Sequence, residues 1–177
     1  MDGAAGSLLL SQQEIERRVA EMGRQISSDF AGRTVTIIGI LKGSFIFVAD
    51  LIRRLDRSLR AEVDFISVAS YGNSTSSAGV VQMGKDIEIP VAGKDVLLVE
   101  DIIDTGLTLT YVHGLMIERG ARSVRVAALL EKAETRKYAG VVDYVGFKIP
   151  NRFVVGYGLD YAQLYRNLPE IRILDDV

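Results

Sequence analysis

Apolar positions recur along this chain with two different periods, and the alternation between them predicts its architecture. In residues 11–32, Ile15, Val19, Met22, Ile26 and Phe30 return every three or four positions, the spacing of a helix with one buried face. Ser11 followed by Glu14 forms a capping-box start, and Gly32 supplies a stop. Residues 34–40 are an apolar, β-branched run that predicts a buried strand, 41–44 a turn, and 45–59 a second helix. Residues 62–70 alternate in part, with Val63, Phe65 and Val68 apolar, and predict a strand. Residues 71–79 are rich in Gly, Ser, Asn and Thr and read as a loop, and 80–89 as a short extended pair around Met83, Gly84 and Lys85. A second buried run, 96–99, precedes a helix over 107–120 carrying Leu109, Val112, Leu115 and Met116 and ending at Gly120. Strands are expected at 124–130 and 141–147 around a polar loop at 132–140, and residues 153–177 are irregular with short strands. Strand–helix alternation at the centre predicts an α/β fold with a mainly parallel sheet, right-handed crossovers and flanking helices.

Composition narrows the class without deciding the function. The chain has 177 residues, 48% hydrophobic and 25% charged, with no internal repeat or linker, and reads as one domain with residues 1–10 as a loose tail. A net charge of −2 carries no broad electrostatic footprint for nucleic acid, so no nucleic-acid partner is expected. There are no cysteines, which excludes disulfides, zinc-thiolate sites and a thiol nucleophile. No apolar run approaches the roughly 18 residues of a membrane span. The run at Leu8, Leu9 and Leu10 is too short for a signal-peptide core, so no membrane partner and a cytoplasmic location are expected.

The candidate chemistry concentrates after the 96–99 run. Glu100, Asp101 and Asp104 fall within five residues, followed by Thr105, Gly106, Leu107 and Thr108 at the start of the next helix. In open α/β sheets the carboxyl ends of strands are where ligands bind, and a helix start presents free amides that suit phosphate. Acids beside a phosphate cradle require a cation or hydroxyls between them, which a sugar phosphate with Mg²⁺ supplies. Asp-Thr-Gly after an apolar run is also the aspartic-protease motif, but that fold continues as strand, whereas this pattern continues as helix. Lys42 and Gly43, after the 34–40 strand, form a second candidate anion turn.

The stretch from Val96 to Thr110 closely resembles the phosphoribosyl-diphosphate-binding signature of the type I phosphoribosyltransferases, and the wording EDIIDTG resembles their hypoxanthine-guanine branch. The resemblance runs from about Ile38 to Arg166. It implies that family's fold, with a small hood built from terminal segments, residues 150–177 contributing to hood and base pocket. It implies that Glu100 and Asp101 bind the ribose hydroxyls and that residues 104–108 hold the 5′-phosphate. Asp104 then faces N7 of the purine as the catalytic base. Lys42, Gly43 and Arg166 take pyrophosphate, with a non-proline cis peptide before Lys42. Lys132 donates to O6, with Arg136 near the same pocket; Phe153 stacks on the base, and Val154 and Asp160 read its edge. Mg²⁺ is the implied cofactor, with Glu100, Asp101 and Asp160 as its acids. Ser70 and Tyr71 open a lid over 71–79.

The implied reaction joins phosphoribosyl diphosphate to hypoxanthine or guanine, giving IMP or GMP and pyrophosphate, with a homodimer or homotetramer expected. Two alternatives remain on sequence. One is a regulator of the same fold that binds nucleic acid, which this mildly acidic chain with all four of Asp104, Lys132, Asp160 and Arg166 disfavours. The other is a xanthine-preferring relative.

Overall fold

A computed structural model describes residues 6–71 and 80–174. The first helix, α1 (Gln12–Asp29), begins with the expected capping box. The Ser11 hydroxyl accepts from the Glu14 amide at 3.3 Å, and the Glu14 carboxylate accepts from the Ser11 amide at 2.9 Å. Its buried face is Ile15, Val19, Met22, Gly23 and Ile26. The sequence then winds as β2 (Thr34–Leu41), α2 (Phe45–Ile52), β3 (Arg60–Tyr71), β4 (Val80–Lys85), β5 (Asp95–Ile103), α3 (Leu107–Glu118), β6 (Ser123–Glu131) and β7 (Tyr144–Lys148). These strands form one six-stranded sheet in the order β4-β3-β2-β5-β6-β7, parallel throughout except for β4.

That strand order creates the site. From β2 the chain crosses over through α2 to β3 on one side; from β5 it crosses through α3 to β6 on the other. The turns that follow the neighbouring strands β2 and β5 therefore diverge, opening a crevice at their carboxyl ends. Two apolar clusters cover the sheet. Ile15, Met22 and Phe30 of the α1 segment and Phe47 and Leu51 of α2 pack on one face with Ile37 and Leu97. Leu109, Val112 and Met116 of α3 pack on the other with Ile38, Leu98 and Val126. Among the described residues 21 buried side chains form the cluster on one face and 13 that on the other, so the crevice rests on a stiff base.

A second sheet has the order β1-β9-β8, all antiparallel, from β1 (Ser7–Leu10), β8 (Val154–Val155) and β9 (Ile171–Ile173). It is the hood of terminal segments that the resemblance implied. Residues 7–10 are thus not a loose tail: Leu9 and Leu10 pack on the α1–α2 core while their backbone pairs with β9. Three other expectations change. α2 stops at Ile52 rather than reaching residue 59, because the Asp56 carboxylate collects the Ser58 amide at 2.8 Å and the Ser58 hydroxyl at 2.6 Å, fixing a turn. Residues 80–85 are one strand against β3, not an extended pair. β7 starts at Tyr144, after Asp143 has accepted the Val126 amide at 2.8 Å. Residues 72–79 of the expected lid lie outside the described residues; Ser70 and Tyr71 belong to β3 by their backbone. Among the described residues no helix is long and apolar enough to cross a membrane.

Candidate active site

Three segments far apart in sequence meet at the crevice. The first is the turn after β2. Its Leu41–Lys42 peptide is cis, as the resemblance implied. Ser44 is buried and donates to the Ile40 carbonyl at 2.6 Å, so this hydroxyl ties the turn to its strand and does not face the cleft. Gly43 lies hard against the second segment: a Cβ there would fall 1.7 Å from Asp101 Oδ2. Only a residue without a side chain lets the turn and the acid meet.

The second segment is the end of β5 and the start of α3. Glu100 is buried, and burial together with the adjacent Asp101 charge drives its carboxyl well above the ordinary range. Burial pushes Asp101 up as well, although its Oδ1 accepts the Ile102 amide at 2.9 Å. Arg166 acts against this rise at Asp101, but desolvation outweighs it, and such a pair is the setting for a cation or for sugar hydroxyls. Beyond them, Lys132 Nζ donates to Asp104 Oδ2 at 3.0 Å and Thr135 Oγ1 donates to Asp104 Oδ1 at 2.5 Å. Burial works against the charge on Asp104, but these two bonds and the ammonium outweigh it and hold the carboxyl below its ordinary value.

Gly106 caps α3 from the left-handed region, φ +79°, with no side-chain cap, so the first amides of the helix stay free for an anion. A Cβ on Gly106 would lie 2.5 Å from Tyr138 Cβ, and the Lys137 amide donates to the Thr105 carbonyl at 2.9 Å. The 132–140 loop thus clamps the turn. Beside the turn is a cavity of about 130 Å³ bounded by Glu100, Asp104 and residues 105–108, large enough for a phosphate group. Leu107 there is exposed and brings no charge, leaving anion binding to amides and hydroxyls.

The third segment runs from Phe153 to Arg166. Asp160 and Arg166 form an ion pair at 2.8 Å, and Arg166 also donates to the Gly158 carbonyl at 2.7 Å. A Cβ on Gly158, φ +98°, would meet the Gly43 carbonyl at 2.3 Å, so this loop sits directly on the first turn. Tyr157, Ala162, Gln163 and Tyr165 all have positive φ, a local density of unfavourable backbone that marks a loop held by its surroundings. Phe153 is exposed and meets Tyr161 edge-on, ring centres 5.8 Å apart.

The main cleft, about 470 Å³, brings together Lys42, Gly43, Asp101, Asp104, Lys132, Phe153, Val154, Asp160 and Arg166, all singled out from the sequence. It adjoins the small cavity through Asp104 and Ile102. Asp160, the third acid expected at the metal, is engaged by Arg166 and accepts the Gln163 amide at 2.8 Å; no cluster of three metal-ligating side chains occurs among the described residues. One expectation is corrected. Arg136 turns from the cleft to the buried Glu131 and the Tyr138 and Gly140 carbonyls, bracing the loop. Sequence reasoning missed Thr135, the contact of Asp104, and Ser67, Val68 and Gln163 in the cleft wall. A hydroxyl three residues after Lys132 in a turn was the one available signal.

The family model for phosphoribosyl transferase domains matches residues 6–162. The chain is 48% identical over 167 residues to the hypoxanthine-guanine phosphoribosyltransferase of Bacillus subtilis, covering 94% of this chain and 92% of that protein. It is equally similar, 48% over 94% of its length, to the bifunctional protein TilS/HprT of Listeria innocua, but spans only 26% of that longer relative. A crystal structure of a Bacillus anthracis hypoxanthine-guanine phosphoribosyltransferase superposes with a TM-score of 0.91 at 43% identity, over 97% of this chain and 99% of that one.

Proposed function

The chain belongs to the phosphoribosyl transferase family, and from that premise we propose that it transfers the phosphoribosyl group of phosphoribosyl diphosphate to N9 of hypoxanthine or guanine, giving IMP or GMP and pyrophosphate. The observation that carries the base class is the Asp104–Lys132 pair, 3.0 Å apart in the wall of the cleft. A 6-oxopurine presents N7–H and O6 side by side. A carboxylate next to an ammonium matches that donor and acceptor, and it mismatches the 6-amino group of adenine.

In this reading the 5′-phosphate sits against the free amides at the start of α3, with Thr105 and Thr108 as hydroxyl donors. Glu100 and Asp101 orient the ribose. Lys42, Gly43 and Arg166 hold the pyrophosphate, Phe153 covers one face of the base, and Val154 and Asp160 lie at its edge. The C1–oxygen bond to pyrophosphate breaks as N9 bonds to C1. Asp104 takes the proton from N7, so the base leaves as a neutral nucleotide ring. The acids fit Mg²⁺, because desolvation pushes the adjoining Glu100 and Asp101 carboxyls up and a cation beside them would offset that. They would hold it largely through waters and sugar hydroxyls, with Asp160 on the pyrophosphate side. Bound there, Mg²⁺ supplies neutralisation of the leaving group.

Initial rates with hypoxanthine, guanine, xanthine and adenine at fixed phosphoribosyl diphosphate test the proposal. Turnover of the first two and not of adenine is expected. A preference for adenine, or no turnover with any base, would overturn it.

A further inference from the structure

The Thr135 hydroxyl has no place in the reaction as set out above, yet it makes one of the shortest contacts in the cleft. Its Oγ1 donates to Asp104 Oδ1 at 2.5 Å, while Lys132 Nζ donates to Oδ2 of the same carboxylate at 3.0 Å. The two bonds differ in what happens when a base arrives. Lys132 has an alternative acceptor in the 6-oxo group, so its hold on Asp104 weakens as it turns to O6. Thr135 has none of that kind: among the described residues its hydroxyl reaches, besides Asp104, the Lys132 carbonyl at 3.5 Å. Thr135 itself is fixed by its turn, in which the Thr135 and Arg136 amides donate to the Lys132 carbonyl at 3.3 and 3.2 Å. The turn is anchored by Lys132, whose amide donates to the Ile103 carbonyl at 2.9 Å, one residue before Asp104.

We propose that Thr135 is the positioning residue for the catalytic base: it holds the Asp104 carboxylate in the orientation that meets N7–H while Lys132 is engaged with O6. The proposal rests on Asp104 being the group that faces N7. A carboxylate free to rotate about its last bond would present either oxygen at varying angles. Proton transfer is steep in that geometry, so the loss appears in the chemical step more than in binding.

The test is a pair of substitutions read by single-turnover kinetics with saturating substrates, where chemistry is observed directly. Thr135→Val keeps shape and removes the hydroxyl. The rate should fall about 10- to 100-fold, the cost of a hydrogen bond to a charged group. KM for hypoxanthine and for phosphoribosyl diphosphate should change by less than about 3-fold. Thr135→Ser restores the hydroxyl and should restore the rate. In an Asp104→Asn background, Thr135→Val should cost nothing further, since the carboxylate it orients is gone. An unchanged rate in Thr135→Val overturns the proposal, as does a loss confined to KM, or equal losses in the Val and Ser variants. If Asp104→Asn alone keeps the full rate, it is the reading of Asp104 that fails, and the two failures are thereby told apart.

Discussion

Lys132 and Asp104 neutralise each other across 3.0 Å in the cleft wall, the ammonium buried and the carboxylate half-exposed. Each is thus stored in the charge state in which it would be used. The acid stays ionised because a cation is beside it, and the buried cation is tolerated because an acid is beside it.

Replacing Lys132 with alanine should therefore do two things. Discrimination of hypoxanthine over adenine should weaken by about 10-fold or more, because O6 loses its donor. The Asp104 carboxyl, held below its ordinary value in part by Lys132, should titrate at higher pH. The acidic limb of a kcat/KM profile should accordingly move upward. Unchanged base discrimination would remove Lys132 from the pocket.

Gly43→Ala places a methyl 1.7 Å from the present position of Asp101 Oδ2. Either the Asp101 carboxylate swings aside or the turn retreats from β5 by about an ångström, and a displacement of that size can cost about 10²-fold in rate. We expect a near-normal thermal midpoint, weaker binding of pyrophosphate and phosphoribosyl diphosphate, and a large loss of kcat/KM. Wild-type pyrophosphate affinity in this variant would show that the turn does not contribute to that subsite.

Under the proposed reading, metal dependence is expected from the Glu100–Asp101 pair. Phosphoribosyl diphosphate would bring several negative charges to two adjoining acids whose carboxyls desolvation already pushes up. Calorimetric titration should show strong binding only with Mg²⁺ present, and excess chelator should abolish turnover. Titration of the nucleoside monophosphate, which carries no pyrophosphate, should depend on Mg²⁺ far less. Equal affinities with and without the ion would refute the assignment.

At the opposite end of β5, Asp95 is almost fully buried, bonded by Arg122 at 3.0 and 2.5 Å and by Ser123 at 2.6 Å, and its carboxyl is held down to about 2. Its folded value lies below its unfolded one, so its contribution is complete above about pH 4 and disappears as pH falls toward 2. Asp95→Asn should lower stability at neutral pH by about 2 kcal/mol. The deficit should shrink steadily in acid denaturation series run below pH 4. A deficit independent of pH would mean the cost is packing and not charge.

What the sequence disclosed and withheld divides along physical lines. Helix caps, buried runs and the acid cluster are local: Ser11 and Glu14 bond to each other, and Glu100, Asp101 and Asp104 fall within five residues of one stretch, so they were readable. The β1–β9 pairing was not, since nothing in Leu8, Leu9 and Leu10 says that β9 will be their neighbour. Arg136 and Thr135 show the same limit. Both follow Lys132 in one polar loop, and only the folded turn decides that the hydroxyl faces Asp104 while the guanidinium turns inward to Glu131. Asp160 was located correctly in the cleft, but its pairing with Arg166 depends on a backbone with several positive φ values that no residue type there advertises.

The β1–β9 pair has one more consequence. Ser7 stands opposite Ile173, and Ile173 stands opposite Val154, which lines the main cleft. Both margins of the described chain are therefore stitched to the wall of the cleft, and a tug on either is felt there as a tilt of that wall. The hood acts as a tether between those margins and the crevice.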